Sequence, residues 1–236
     1  MLRSFIVAAR PVLPAAGFAI LAMSVLAACA SAPNEELPKV TDEGLHLVKE
    51  TKSSALYVLP GADLAQYNRF AIAKVRVAFR DDWLKDQNST RRAHRVTQED
   101  ADEIKSAISE QFENIFAQEL RTGGYKVVEL DGADNSAQDL LLLRPAIINL
   151  DVTAPDTMTA GRSRTFTAST GSMTLLMGFY DAVSGSLLAR VVDSETAHDR
   201  GYLKISNSVT NTTEANRIFH KWARILVQKT DAAHGK

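Results

Sequence analysis

Two short stretches of the sequence gather the charged and aromatic side chains that could recognise a ligand. They are AFRDDW, residues 78–83, and TRRAHR, residues 90–95. Guanidinium groups bind phosphates and carboxylates through paired hydrogen bonds, and an indole ring can stack on a sugar or on a partner. The pattern predicts a partner surface made of Trp83, Arg91, Arg92 and Arg95. The interpretation that we favour is a solvated loop with locally paired charges, in which the indole covers the edge of the core.

The short motifs of catalytic and metal sites are missing from the sequence. It has no glycine-rich phosphate loop, no His-Glu-x-x-His, no Cys-x-x-Cys and no Gly-x-Ser-x-Gly. The five histidines lack the spacing of metal ligands, and His220 is expected at a helix surface or core edge. Asp81 and Asp82 are adjacent, so in a strand they would point to opposite faces. We expect no catalytic residue, no cofactor and no metal site.

The only cysteine, Cys29, follows an apolar stretch from Ala15 to Ala28. With Arg3 and Arg10 before it, this stretch has the three zones of an export signal, and it is shorter than the roughly 20 residues of a membrane-spanning helix. The tetrapeptide LAAC resembles the lipobox of bacterial lipoproteins, in which cleavage exposes a cysteine that carries a diacylglycerol and an acyl chain such as palmitate. The pattern predicts a signal peptide over residues 1–28 and a lipidated Cys29, and the alternative is an ordinary signal peptide.

A lipid anchor would determine where the protein is located. Two or three acyl chains hold a protein stably on a membrane, whereas a single chain binds only marginally. Ala30 and Ser31 follow the cysteine, whereas lipoproteins retained in the inner membrane typically have Cys-Asp. We therefore predict an outer-membrane anchor with the chain facing the periplasm. Removing residues 1–28 takes away two of 27 basic residues and none of 28 acidic ones, so the weakly acidic remainder does not suggest nucleic-acid binding.

The remaining chain divides into a tether, one domain and a tail. Polar residues without apolar periodicity predict a flexible tether over residues 29–43. Residues 44–230 are expected to form a single domain, and residues 231–236 a disordered tail. The sequence has no second cysteine for a disulfide, so the stability of this domain must come from a packed core.

Periodicity along the domain predicts both strands and helices. Strands are expected at residues 56–59, 69–79, 125–130 and 140–152, and a hairpin at residues 165–180 and 187–195. The face of the second strand changes near Ala73-Lys74, and Pro145 requires an edge, a break or a bulge. Helical periodicity covers residues 97–120, with Thr97 as the cap, and residues 212–229. This order predicts an α+β fold with an antiparallel, possibly mixed, sheet and two long amphipathic helices.

Several segments, taken in order, resemble one known family. They are GLHLVKETKSSALYVLPGADLAQYNRFAIAKVRVAFRDDW, GGYKVVE, LLLRPAIINLDVTAPD, AGRSRTFTASTGSMTL and YDAVSGSLLARVVDSE. This set is similar to a bacterial lipoprotein family called domain of unknown function 3313. The resemblance implies an envelope lipoprotein without an established activity, and it transfers no catalytic residues. That family often has an acidic residue where this chain has Gly178.

Three functions are compatible with these observations. The favoured hypothesis is a non-enzymatic binding or envelope-assembly module, anchored to the membrane by its lipid and contacting an unknown envelope protein or glycan. The second is an enzyme acting on glycan or lipid with residues that no motif reveals. The third is an oligomeric secretion-accessory lipoprotein, which is ranked last because no long alternating strands with aromatic girdles are obvious.

Overall fold

The computed structural model describes residues 37–89, 95–130, 139–152, 166–167, 171–196, 204–205 and 208–236. Within these residues the chain forms a mixed eight-stranded sheet, a separate pair of two-residue strands and three helices. The predicted α+β class is confirmed. The sheet contains both parallel and antiparallel pairs, and there is one helix more than the two that were predicted.

The elements have the following bounds. The strands of the large sheet are β1 (His46–Glu50), β2 (Ser54–Val58), β3 (Arg69–Ile72), β4 (Arg76–Phe79), β5 (Lys126–Val128), β6 (Leu140–Asp151), β8 (Ser172–Asp181) and β9 (Leu187–Thr196). The small pair consists of β7 (Phe166–Thr167) and β10 (Lys204–Ile205). The helices are α1 (Trp83–Ser89), α2 (Gln98–Thr122) and α3 (Ser208–Ala233). The strand order is β1-β2-β9-β8-β6-β3-β5, and β4 also pairs with β6.

The strand β6 joins two kinds of pairing. On one side it runs antiparallel to β8, which continues through β9 and β2 to β1 in antiparallel order. On its other side it runs parallel to β3 and β4, and β3 runs parallel to β5. Parallel neighbours need a long crossover connection. Here α2 lies in the connection from β3 and β4 to β5, and β5 returns to pair in parallel with β3.

The predicted strand at residues 69–79 is broken where its face changes. β3 pairs with residues 140–143 of β6, and β4 pairs from residue 146 onward. The backbone carbonyl of Leu143 accepts from Ala73, so it faces β3, and alternation places the backbone nitrogen of Pro145 on that same side. Proline has no N–H to donate, so the neighbouring strand has no partner there and breaks at residues 73–75.

Side chains of α2 bind the backbone that this break leaves unpaired. The N–H of Val75 donates to the Glu113 carboxylate at 3.0 Å. The hydroxyl of Ser109 lies 3.1 Å from the Val75 carbonyl oxygen and 3.0 Å from the same carboxylate. Ser109 is buried. The break in the sheet is therefore fixed to the middle of the helix that covers it.

The two long helices cover one face of the sheet and run in the same direction. Phe112 of α2 contacts the ring of Phe219 in α3 at 5.3 Å, and further along both helices Glu119 binds Arg224. The main core lies between this layer and the sheet, and it includes Phe70, Leu143, Met177 and Trp222. The predicted Thr97 cap is confirmed, since Thr97 and Asp100 form a reciprocal capping box.

A smaller core lies on the opposite face near β1. It is formed by Leu45, Ala55 and Tyr57. The chain reaches it earlier than the predicted start of the domain, because Val40 forms an antiparallel bridge with His46 and the Lys39 carbonyl accepts from Leu47. Residues 39 and 40 thus flank the outer edge of β1.

The chain end is ordered, which corrects the prediction of a disordered tail over residues 231–236. α3 continues to Ala233, beyond the predicted end at Lys229. The Tyr125 hydroxyl donates to the Asp231 carboxylate at 2.6 Å, and the Lys236 ammonium lies 5.0 Å from the centre of the Tyr125 ring. These contacts hold the last residues against the start of β5.

The predicted signal peptide and Cys29 lie outside the described residues. Among the helices that the structure describes, none is long and apolar enough to cross a membrane.

Replacing Glu113 tests how strongly the break is held. Glu113→Ala leaves the Val75 N–H without its acceptor, and we expect a loss of about 1–3 kcal/mol in the free energy of unfolding, measured by urea denaturation. Glu113→Gln retains an acceptor oxygen and should recover most of that loss. Glu110→Ala, an exposed position on the same helix, should change it by less than about 0.5 kcal/mol. Equal effects of Glu113→Ala and Glu110→Ala would contradict this role.

Candidate functional site

An open cleft of about 1000 Å³ lies beside α1, in the part of the chain that the structure describes. It is bordered by β4, by α1 and by the start of α2. Its lining includes Val77, Phe79, Arg80, Trp83, Arg95 and Lys105. The cleft therefore contains two of the four residues of the predicted partner surface, and an apolar floor lies beside cationic side chains.

Trp83 belongs to the core. Its side chain packs against Phe79 with ring centres 3.7 Å apart, and only 2% of the residue is exposed. The indole N–H donates to the Val152 carbonyl at 2.7 Å. An indole so covered cannot stack on a sugar or on a partner, so its predicted role in recognition is wrong. The favoured interpretation, in which the indole covers the core, agrees with this burial, but residues 83–89 form the helix α1 and not a loop.

Arg80 holds the wall of the cleft together. Its guanidinium lies 2.7 Å from the Asp86 carboxylate and 2.9 Å from the Asp151 carboxylate. These two partners, Asp86 first, raise the pKa of Arg80. The bonds join the end of β4 to α1 and to the end of β6, so this arginine stabilises the fold of the cleft.

Arg95 lies at the exposed rim, whereas Arg91 and Arg92 lie outside the described residues. The side chain of Asn88 fixes the position of this rim, because it accepts from the Val96 N–H at 2.8 Å and donates to the Val96 carbonyl at 2.9 Å. The last turn of α1 and the residues before α2 are thereby held together. The structure thus brings Arg95, one of the three predicted arginines, to the rim of the cleft.

Charged side chains at the cleft have partners of their own or face solvent. Lys105 forms an ion pair with Asp102 at 2.9 Å, and its ammonium lies 5.8 Å from the centre of the Phe79 ring. Asp82 is exposed and has a positive φ of 57° in the turn before α1. Within the described ranges, no three histidine, cysteine or acidic side chains come together in a way that could hold a metal ion.

A pair of carboxylates lies under α3, away from the cleft. Asp193 accepts from the Trp222 indole N–H at 2.5 Å, and Glu195 forms an ion pair with Lys221. Burial raises the pKa of Asp193, and the nearby Glu195 charge adds to this shift. Both carboxylates bind residues of α3, so they attach this helix to β9.

Asp181, in the turn between β8 and β9, has an environment that favours the charged carboxylate, in contrast to Asp193. Its carboxylate accepts from the backbone N–H of Ser184 at 2.6 Å and of Val183 at 3.1 Å, and from the Tyr67 hydroxyl at 2.9 Å. These bonds, the Ser184 N–H first, lower the pKa of Asp181. Burial and the bond to Asp181 raise the pKa of Tyr67 to about 12.

His220 lies at the surface between the long helices, as expected from its position beside Phe219. Its Nδ1 atom is 2.7 Å from the Glu119 carboxylate, to which the Arg224 side chain also donates at 3.3 Å. These contacts tie the two helices together.

Several of these partnerships have no clear signal in the sequence. Arg80 binds acids from two different elements, and Asp193 binds an indole 29 positions away along the chain. For the ion pairs of Arg80, the only available signal is the alternation of charge around residues 80–86. The bond between Asp193 and the indole depends on the packing of α3 and has no local signal.

Comparison with known proteins gives one family and a number of distantly similar solved structures. The chain matches the model of the family described as Protein of unknown function (DUF3313) over residues 40–226. No curated protein matches it.

The solved structures that are similar at low identity include the following three. A PelC dodecamer from Paraburkholderia phytofirmans is 15% identical, covering 70% of this chain and 96% of that chain with a TM-score of 0.36. A putative neuraminyllactose-binding hemagglutinin homolog from Helicobacter pylori is 11% identical, covering 71% and 84% with a TM-score of 0.34. A DUF4136 family protein from Bacteroides thetaiotaomicron is 13% identical, covering 74% and 95% with a TM-score of 0.30.

Substitution of Trp83 tests its place in the core. Trp83→Phe keeps most of the ring but leaves the Val152 carbonyl unbonded, and we expect a loss of about 1–2 kcal/mol in the free energy of unfolding. Trp83→Ala also opens a cavity and should cost about 3–5 kcal/mol. Lys85→Ala, on the exposed side of the same helix, should change it by less than about 0.5 kcal/mol. Urea denaturation checks all three, and a neutral Trp83→Ala would contradict burial.

The contributions of Asp193 and Asp181 to the free energy of unfolding should change in opposite directions as the pH rises. Because the pKa of Asp193 is raised above its ordinary value of 3.8, its contribution to the free energy of unfolding is most favourable below that pH and falls as the pH rises. Asp193→Asn keeps an acceptor for Trp222 and removes the buried charge. We expect the stability of this variant relative to wild type to be greater near pH 7 than near pH 4 in urea denaturation.

Asp181→Asn provides the contrast. The lowered pKa of Asp181 means that its stabilising contribution is present above 3.8 and is lost as the pH falls. The variant should therefore be less stable than wild type near pH 7 and approach it under acidic conditions. The same pH trend in both variants would contradict the assigned environments.

Proposed function

We propose that this chain, which belongs to the DUF3313 family of unknown function, is a lipid-anchored binding module. In this proposal Cys29 carries the lipid, the anchor lies in the outer membrane and the folded unit faces the periplasm. The module binds an envelope partner and catalyses no reaction.

The observation that carries this proposal is the position of Cys29 between an apolar segment and the folded unit. Leu26-Ala27-Ala28 precede the cysteine, and the folded unit begins at Pro38. A fully extended chain spans at most about 3.3–3.6 Å per residue, so the intervening segment reaches roughly 30 Å. A lipid on Cys29 would therefore hold the start of the domain within about 30 Å of the membrane.

The partners of the charged groups favour binding over catalysis. Catalytic acids and bases usually have shifted pKa values and point into a cleft where a substrate can reach them. The carboxylates with shifted pKa values here include Glu43, Asp100, Asp181 and Asp193. Each of these has a partner that holds the fold together: Arg190, the start of α2, the hairpin turn and Trp222, respectively.

Replacement of Cys29 tests the anchor. Cys29→Ser lacks the sulfur that accepts the diacylglycerol, so we expect no incorporation of labelled palmitate and no cleavage at this site. Intact mass spectrometry and fractionation of the membranes measure both effects. Ser31→Ala, two positions later, should leave processing and outer-membrane recovery unchanged.

Unchanged processing and membrane retention of the Cys29→Ser protein would contradict the proposed lipid anchor. The expected partner is tested separately, by crosslinking the lipidated protein in intact envelopes. Failure to recover any reproducible partner, together with an unchanged envelope after deletion of the protein, would overturn the binding role.

A further inference from the structure

We propose that Arg144, stacked on Tyr180 on the face of the sheet opposite the long helices, receives a carboxylate from an acidic segment of a partner protein. The inference rests on the proposed function, since it names the surface and the partner chemistry of that binding module. It concerns a different part of the molecule from the cleft beside α1.

The register of the central strands places two arginines in one row. Arg144 of β6 lies opposite Gly178 of β8, which lies opposite Arg190 of β9. Leu143 and Met177, the chain neighbours of the first two positions, belong to the core under the helices. Since side chains alternate along a strand, the row of arginines lies on the other face.

The aromatic ring beside this row holds Arg144 in place. Its guanidinium lies 4.5 Å from the centre of the Tyr180 ring. A Cβ atom at Gly178 would come within 2.6 Å of that ring, so the absence of a side chain there lets the ring lie over the strand. Stacking covers one surface of the guanidinium and leaves its edge free to form hydrogen bonds. Because the ring already restrains the Arg144 side chain, that side chain loses less conformational freedom when a ligand binds.

Arg190, in the same row, already binds a carboxylate. Its guanidinium contacts both carboxylate oxygens of Glu43, at 2.5 and 3.4 Å. This partner comes from the stretch before β1, 147 positions away in the sequence. Arg190, as the largest cause, lowers the pKa of Glu43 to about 2. One site of the row therefore already holds a carboxylate delivered by a segment of polypeptide.

Arg144 has the same chemistry without such a partner in the described part of the chain. It is exposed, and none of the described acidic side chains forms an ion pair with it. Half-buried Leu142 and Leu176 lie on the same face, each two positions along its strand from Arg144 or from Gly178. A single arginine fork with apolar neighbours matches one carboxylate flanked by apolar side chains, whereas phosphate-rich ligands are usually held by clusters of cations.

Photocrosslinking in intact envelopes tests the surface. A photoreactive benzoylphenylalanine replaces Leu176 in the full lipidated chain, and the crosslinked segment is mapped by mass spectrometry. We expect a protein segment with an aspartate or glutamate, and a loss of roughly tenfold or more in crosslink yield on Arg144→Glu. Arg144→Gln should also lose yield, and Lys229→Glu, an exposed charge reversal on α3, should not.

Reversal of the charge on the partner completes the test. Replacing the mapped acidic residue with arginine should restore the crosslink to the Arg144→Glu protein. No crosslink, a crosslink to lipid or glycan, or a yield that Arg144→Glu leaves unchanged would overturn the proposal, provided that thermal unfolding shows the variant is folded. In Cys29→Ser cells, a crosslink that persists supports this surface even where the anchor fails, so the two proposals fail separately.

Discussion

Pro145 has no backbone N–H, yet it lies within β6, where both edges of the strand are paired. The missing donor faces the parallel side, and there β3 ends and β4 begins. The N–H of Val75, released by this break, must find another acceptor because a buried backbone donor without a partner is costly. Glu113 of α2 supplies it. One residue in the sheet thus determines where the strand changes face and where the covering helix is attached.

Several charged side chains stabilise the connections between the elements of this mixed sheet. The sheet joins parallel and antiparallel halves, and its connections must be held at several separate places. Arg80 links three elements at one end of β4, Asp193 attaches α3 to β9, and Asp181 closes the turn of the hairpin. Each carboxylate or guanidinium that is used in this way is removed from the set that could act on a ligand.

The two faces of the sheet consequently have different roles. One face is covered by α2 and α3 and forms the main core. The opposite face carries the row of arginines, in which Arg190 is bound by Glu43 and Arg144 rests on Tyr180. The same guanidinium chemistry therefore serves the structure at one position and, in our proposal, recognition at the other. The difference is whether the chain itself brings a carboxylate to it.

The sequence by itself determined the local elements of this protein. The capping box of α2 and the hairpin of β8 and β9 follow from interactions between residues that are close in the chain. The change of face near residue 73 and the irregularity required by Pro145 are each visible in the sequence, but only the pairing of the strands links them, because they lie far apart in the chain. The short α1 has too few turns to show a helical period, so a loop was expected there, and for Trp83 the sequence left both burial at the core edge and contact with a partner open. Only the tertiary structure decided that burial, the parallel pairing of β6, and the row of Arg144 and Arg190, because each depends on strand register and on packing between residues far apart in the sequence.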